Sequence, residues 1–122
     1  MQNVAYLEYD DFTEDGILKI KGKNGVNLPV MLLLQGDYCG YCTQFKPEFL
    51  KVVNALKNKV FPVTIQMDGK ESELSLGKKA SKFIPKFKGV PMVVFFVDGK
   101  YYSTYEGDRR ADALIKYVNS TF

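Results

Sequence analysis

PVMLLLQGDYCGYCTQFKPEFLKVVNAL, Pro29–Leu56, carries a short unbroken apolar run straight into a stretch of helical periodicity. The run PVMLLLQG, bounded by Pro and Gly, has the pattern of a strand buried on both faces. After it, Phe45, Phe49, Val52, Val53 and Leu56 recur at three- and four-residue intervals, with Lys46, Glu48, Lys51 and Lys57 between them. That spacing predicts an amphipathic helix of about five turns. Pro47 lies inside it and is expected to kink it. At the junction stands YCGYC, Tyr38–Cys42, which holds both cysteines of the chain.

Working outward, VFPVTIQMDG reads as a second buried strand, SELSLGKKASKFI as a shorter amphipathic helix and VPMVVFFV as a third strand. Asp98-Gly99 followed by the alternating KYYSTY predicts a hairpin into an antiparallel strand. DRRADALIKYV places Leu114, Ile115 and Val118 on one helical face, with Asp108 as the expected N-cap. Upstream, VAYLEY and ILKIKG alternate as half-buried strands do, separated by DDFTEDG and followed by the turn GKNG. The expected order is strand, strand, kinked helix, strand, helix, strand, hairpin, strand, helix. This is an α/β fold, with parallel pairing in its first half, antiparallel pairing in its second and helices on both faces.

With 122 residues, 46% of them apolar, and seventeen Phe and Tyr, the chain is expected to fold as one domain, 1–122, around one core. Its 17 basic against 14 acidic residues leave a charge of +3, which favours solubility and selects no partner. Lys78, Lys79, Lys82, Lys86 and Lys88 form the densest basic cluster. No nucleic-acid motif accompanies it, and it is read as a solvated face. The opening MQNVAYLEYDDF lacks the basic start and apolar core of a secretory signal, and no run approaches the ~18 apolar residues of a membrane span. The expectation is a soluble cytoplasmic protein, in a compartment where structural disulfides are unusual. Closing so short a loop would also stabilise the fold little.

Chemistry is therefore the stronger reason for the pair. Cys39 falls between a strand and a helix, near unpaired backbone N–H groups and the positive end of the helix dipole, and both favour thiolate. Such CxxC sites bring a thiol from about 8.5 down to roughly 3.5–7.5. Cys39 is the expected nucleophile. Cys42, one turn on and less exposed, is the expected resolving thiol: Cys39 attacks a substrate disulfide, and Cys42 then breaks the mixed disulfide. Two other readings are weaker. A structural zinc site needs four ligands, while the chain has no histidine and no third cysteine, so metal binding would require a dimer-bridging arrangement. A chance pair of core cysteines is the other.

Several features in order make the chain resemble the thioredoxin superfamily over roughly Val30–Phe122. They are the hydrophobic strand, an aromatic before CGYC, Pro47 eight residues after Cys39, Gly89-Val90-Pro91, and FFVDGKYYSTYEG. The tail YEGDRRADALIKYV is most similar to the catalytic domains of protein disulfide isomerases. The resemblance implies a thioredoxin fold, a thiol–disulfide oxidoreductase without a cofactor or metal, and a set of supporting residues. Pro91 would be the superfamily's cis-proline, with Val90 pairing its backbone to an extended substrate and Met92 beside it. Tyr38 would shield Cys39, Gly40 and Tyr41 would complete the motif, and Arg109 would approach the site to favour the resolving thiolate.

The chain also departs from the family. Many members carry a buried acid six residues before the first cysteine and a lysine partner; Leu33 and Thr64 stand there instead. Slower release of mixed disulfides is expected. Tyr41 replaces the proline or histidine of relatives and supplies no charge at neutral pH, which implies a potential of roughly −270 to −180 mV. The expected partners are protein disulfides or dithiols and one redox partner, with no nucleic acid or membrane, and the chain acting as a monomer. A redox-inactive binding module is the alternative. A glutathione-dependent glutaredoxin lacks support from a CPYC motif.

Overall fold

A computed structural model describes all residues from Met1 to Phe122. In chain order the elements are β1 (Ala5–Tyr6), a 3-10 turn (Tyr9–Asp11), β2 (Gly22–Lys23), β3 (Val26–Asn27), β4 (Val30–Gln35), α1 (Gly40–Ala55), β5 (Phe61–Gln66), α2 (Glu71–Ser81), β6 (Met92–Val97), β7 (Lys100–Tyr105) and α3 (Ala111–Thr121). The main sheet has the order β1-β5-β4-β6-β7. β1, β5 and β4 run parallel, whereas β6 and β7 pair antiparallel. This is the expected mixed α/β sheet, with β4 at its centre.

The unbroken apolar run of β4 follows from that position, because all six of its residues are buried. Met31 and Leu33 pack with Val93 and Phe95 against Phe45, Phe49, Val52 and Val53 of α1 and Leu114 and Val118 of α3. Val30, Leu32 and Leu34 face the other way, towards Val63, Ile65, Val94, Phe96 and the α2 residues Leu76 and Ala80. Burying each such side chain contributes about 1.5–3 kcal/mol. Pro47 sits inside α1, where it has no N–H to offer the Thr43 carbonyl. Asp98 and Gly99, with φ of 52° and 82°, form the left-handed pair that a two-residue hairpin needs. A Cβ on Gly99 would lie 2.6 Å from the Leu18 carbonyl oxygen.

The N-terminal quarter differs from its alternating pattern. Only Ala5 and Tyr6 of VAYLEY form a strand, paired with Val63 and Thr64, and ILKIKG forms none before Gly22. Its N–H groups are taken one at a time. Ile17 donates to the Thr13 hydroxyl and Leu18 to the Gly99 carbonyl, while Lys19 donates to the Asp11 carbonyl in a single Phe12–Leu18 bridge that no second pair extends.

Lys79 ties this segment down. Read as part of a solvated basic face, it is instead 7% exposed. Its Nζ donates to the carbonyls of Tyr9 (2.9 Å) and Phe12 (2.7 Å), lies 3.7 Å from the Glu14 carboxylate and sits 3.9 Å from the Tyr9 ring centroid. Asp108 is likewise not the N-cap of α3. Arg110 holds that position, the Asp108 carboxylate accepts from its N–H, and the first N–H of α3, on Ala111, donates to Glu48 of α1 at 3.0 Å. No helix is long and apolar enough to cross a membrane.

Candidate active site

β4 ends at Gln35, and the four residues Gly36–Cys39 carry the chain into α1. That short connection is fixed from outside, by Asp68 in the loop after β5. One carboxylate oxygen of Asp68 accepts the Asp37 N–H and the other the Tyr38 N–H, both at 2.9 Å. Gln66 Nε2 donates to the Asp37 carboxylate at 2.9 Å and reaches Asp68 at 3.4 Å. The Tyr38 and Asp37 amides hold the Asp68 carboxyl below its ordinary range, since both bonds favour the anion. Gly36 leaves room for this approach, as a Cβ there would come within 2.9 Å of Asp68 Oδ2.

Cys39 is the N-cap of α1 in extended backbone, and its Sγ accepts the Cys42 N–H at 3.1 Å. A helix N-terminus thus points at this sulfur. The two cysteines form a disulfide with Cα atoms 5.1 Å apart. Cys39 is partly exposed, whereas Cys42 is 1% exposed. Gly40 is the first residue of α1.

From the opposite side, Val90 brings its carbonyl oxygen to 3.8 Å from Cys39 Sγ, and the Val90–Pro91 peptide is cis. A cleft of about 350 Å³ opens here, lined by Phe45, Val90, Pro91, Met92, Tyr105 and Arg109 among others. Tyr105 donates its hydroxyl to the Asp108 carbonyl, and burial, with Asp108 nearby, pushes its phenol above the ordinary value. Arg109 lies with its guanidinium carbon 5.5 Å from the Tyr41 ring centroid, so cation and ring stack beside the disulfide. Arg110 turns away to Asp112.

Tyr38 departs from expectation. Its side chain is 94% exposed and so does not shield Cys39, because Asp68 holds the backbone of the loop while the ring meets nothing. Tyr41, 67% exposed, is the aromatic that Arg109 covers. At the positions where relatives carry an acid and a lysine, the fully buried Leu33 offers only its carbonyl, to the Thr64 hydroxyl at 2.8 Å.

Two carboxylates that the sequence reading passed over shape the site. Asp68 sits in MDGK, which reads only as a turn. Glu48 is held below its ordinary range by its bond to Lys51 and by the Ala111 N–H, and so joins α1 to the segment bearing Arg109. Neither partnership has a local sequence signal, since each spans thirty or more positions.

A partly exposed cysteine at a helix N-terminus, bonded to a buried one a turn later and faced by the Val90 carbonyl, defines a thiol–disulfide oxidoreductase. The comparisons agree. The thioredoxin-like domain family matches residues 17–121, and the chain belongs to that family. It is 35% identical to the thioredoxin-like protein 453L of Invertebrate iridescent virus 6, over 80% of this chain and 78% of that protein. It is 30% identical to protein disulfide isomerase-like 1-3 of Arabidopsis thaliana over 96% of this chain, but spans 17% of that longer protein. Among solved structures, the human ERp44 zinc-bound form superposes with a TM-score of 0.71 at 15% identity, covering 98% of this chain and 30% of that one, which speaks to the fold.

Proposed function

We propose that this protein exchanges disulfides with protein substrates, Cys39 attacking and Cys42 resolving. The observation that carries the assignment is the asymmetry of the pair. Cys39 is partly exposed and accepts a helix N–H at sulfur, while Cys42 is closed to solvent. In the reducing direction the Cys39 thiolate attacks one substrate sulfur, and the other leaves as a thiolate. Cys42 then attacks Cys39, forming the Cys39–Cys42 bond and releasing the second substrate thiol. Reversal oxidises a dithiol.

The substrate segment would lie extended in the cleft, pairing with the Val90 backbone against Pro91, with Met92 as an apolar contact and the Tyr41–Arg109 stack as one wall. Tyr38, standing free in solvent, would touch the substrate. Gly40 borders open space, where a Cβ would meet nothing. We assign no cofactor or metal, and the partners are protein disulfides or dithiols and a redox protein that resets the pair. The proposed setting is reducing, such as the cytoplasm: both cysteines are engaged in the redox pair, leaving none for a structural bridge.

Insulin reduction by dithiothreitol tests this. Wild-type protein should accelerate precipitation, Cys39→Ser should not, and Cys42→Ser should accumulate a mixed disulfide. Equal rates for wild type and Cys39→Ser would overturn the assignment.

A further inference from the structure

One residue of the molecule has buried side-chain polar atoms without a partner. Gln35 is 1% exposed, and neither its Oε1 nor its Nε2 meets a hydrogen-bonding group of the protein. Such groups are rare in native structures and ask for an explanation. Its position supplies one. Gln35 ends β4, two residues after Leu33 and four before Cys39. Met31 and Leu33 face α1, so strand alternation puts the Gln35 side chain in that same layer, one step nearer the loop. Cys42 lies less than a turn before Phe45 on α1 and is just as buried. Across the sheet the register runs Leu34↔Met92, which brings the next position, Pro91, to the same end.

We propose that Gln35 is the hydrogen-bond partner of Cys42 in the reduced protein, a neutral amide working where Leu33 leaves no acid. This rests on Cys42 being the resolving thiol. In the disulfide, Cys42 sulfur has no proton to give and is only a weak acceptor, and the amide is left unpaired. After reduction a thiol can donate to Oε1 and a thiolate can accept from Nε2, so both states of Cys42 are served. In the resolving step Cys42 thiolate attacks Cys39 Sγ. The Cys42–Cys39 bond forms as the bond from Cys39 to the substrate sulfur breaks, and the electron pair leaves on that sulfur. The departing thiolate takes up a proton from solvent, replacing the one Cys42 released. Gln35 accepts no proton; it holds the attacking sulfur and lowers the cost of its charge. The ionisable groups around that end, Asp37 and Asp68 in the loops, Tyr41, Lys46 and Glu48 on α1, Tyr105 on β7 and Arg109 before α3, all reach solvent. None stands in the buried layer to do this instead.

The test is Gln35→Met, which keeps the length and removes both polar atoms. In a Cys39→Ser background, thiolate absorbance near 240 nm should show the Cys42 ionisation constant falling about tenfold. In the dithiol protein, equilibrium with glutathione should shift about tenfold towards the Cys39–Cys42 disulfide, about 30 mV more negative. A packing role would change the melting temperature and neither of these. Wild-type protein gives a second readout, because the Gln35 side-chain amide resonances should move on reduction and follow the titration of Cys42. If the variant does not fold, that resonance decides alone. Changes under twofold in Gln35→Met, or amide resonances indifferent to Cys42, would overturn the proposal. Failure of the dithiol assignment itself would appear separately, as Cys39→Ser retaining insulin reduction.

Discussion

Replacing Asp68 by alanine removes the side chain that accepts both backbone N–H groups on the approach to Cys39, and the structure sets the size of the effect. Two backbone N–H groups, at 2.9 Å each, lose a charged acceptor. A hydrogen bond to a charged group contributes about 1.5–3 kcal/mol when buried. Asp37 and Tyr38 are exposed, so water replaces part of each bond, and a total near 2 kcal/mol follows after that discount. For a chain of this length, about 2 kcal/mol corresponds to a melting temperature lower by about 8 °C. The pH dependence identifies the cause. The folded Asp68 carboxyl lies below its ordinary 3.8, so its contribution is complete above that value and is lost as pH falls through the folded value. Wild type and Asp68→Ala should therefore differ fully at pH 7 and converge in the acid range. Insulin reduction should fall several-fold, because the N-cap cysteine follows directly on the released segment. Melting temperatures within 2 °C at pH 7, or a gap that persists undiminished at pH 2.5, would refute the reasoning.

Lys79→Met keeps the apolar stem but strips two carbonyls of a charged donor, and urea denaturation should register a loss of about 2–4 kcal/mol. Gly99→Ala places a methyl 2.6 Å from the Leu18 carbonyl oxygen at a left-handed position, so it should lower the urea midpoint by the equivalent of about 2 kcal/mol while leaving the Cys39–Cys42 potential unchanged.

What could be read from the residues was whatever a local period or spacing encodes. The six buried positions of β4 appear as an unbroken apolar run, α1 as a three-four rhythm, and the β6–β7 hairpin as Asp98-Gly99. CGYC at a strand-to-helix junction marked the reactive pair for the same reason. Contacts between distant segments leave no such trace. Lys79 looks like its neighbours Lys78 and Lys82 until the N-terminal segment folds over it, and Ile17–Gly22 alternates like a strand although its N–H groups find separate partners. Asp108 has the right residue type for a cap, but Glu48, sixty-three positions before Ala111, reaches the helix first.

The brevity of β1 has a consequence for how copies of this protein meet. It covers β5 only at Val63 and Thr64, which would leave the rest of that margin free to recruit a foreign chain. Phe61 donates inward, to the Pro29 carbonyl, so position 62 faces outward, and there proline has no hydrogen to give. Thr64 is already engaged, through its carbonyl, by Leu7. The rim is blunted by one imino acid at the point where two molecules would otherwise begin to zip together into fibrils.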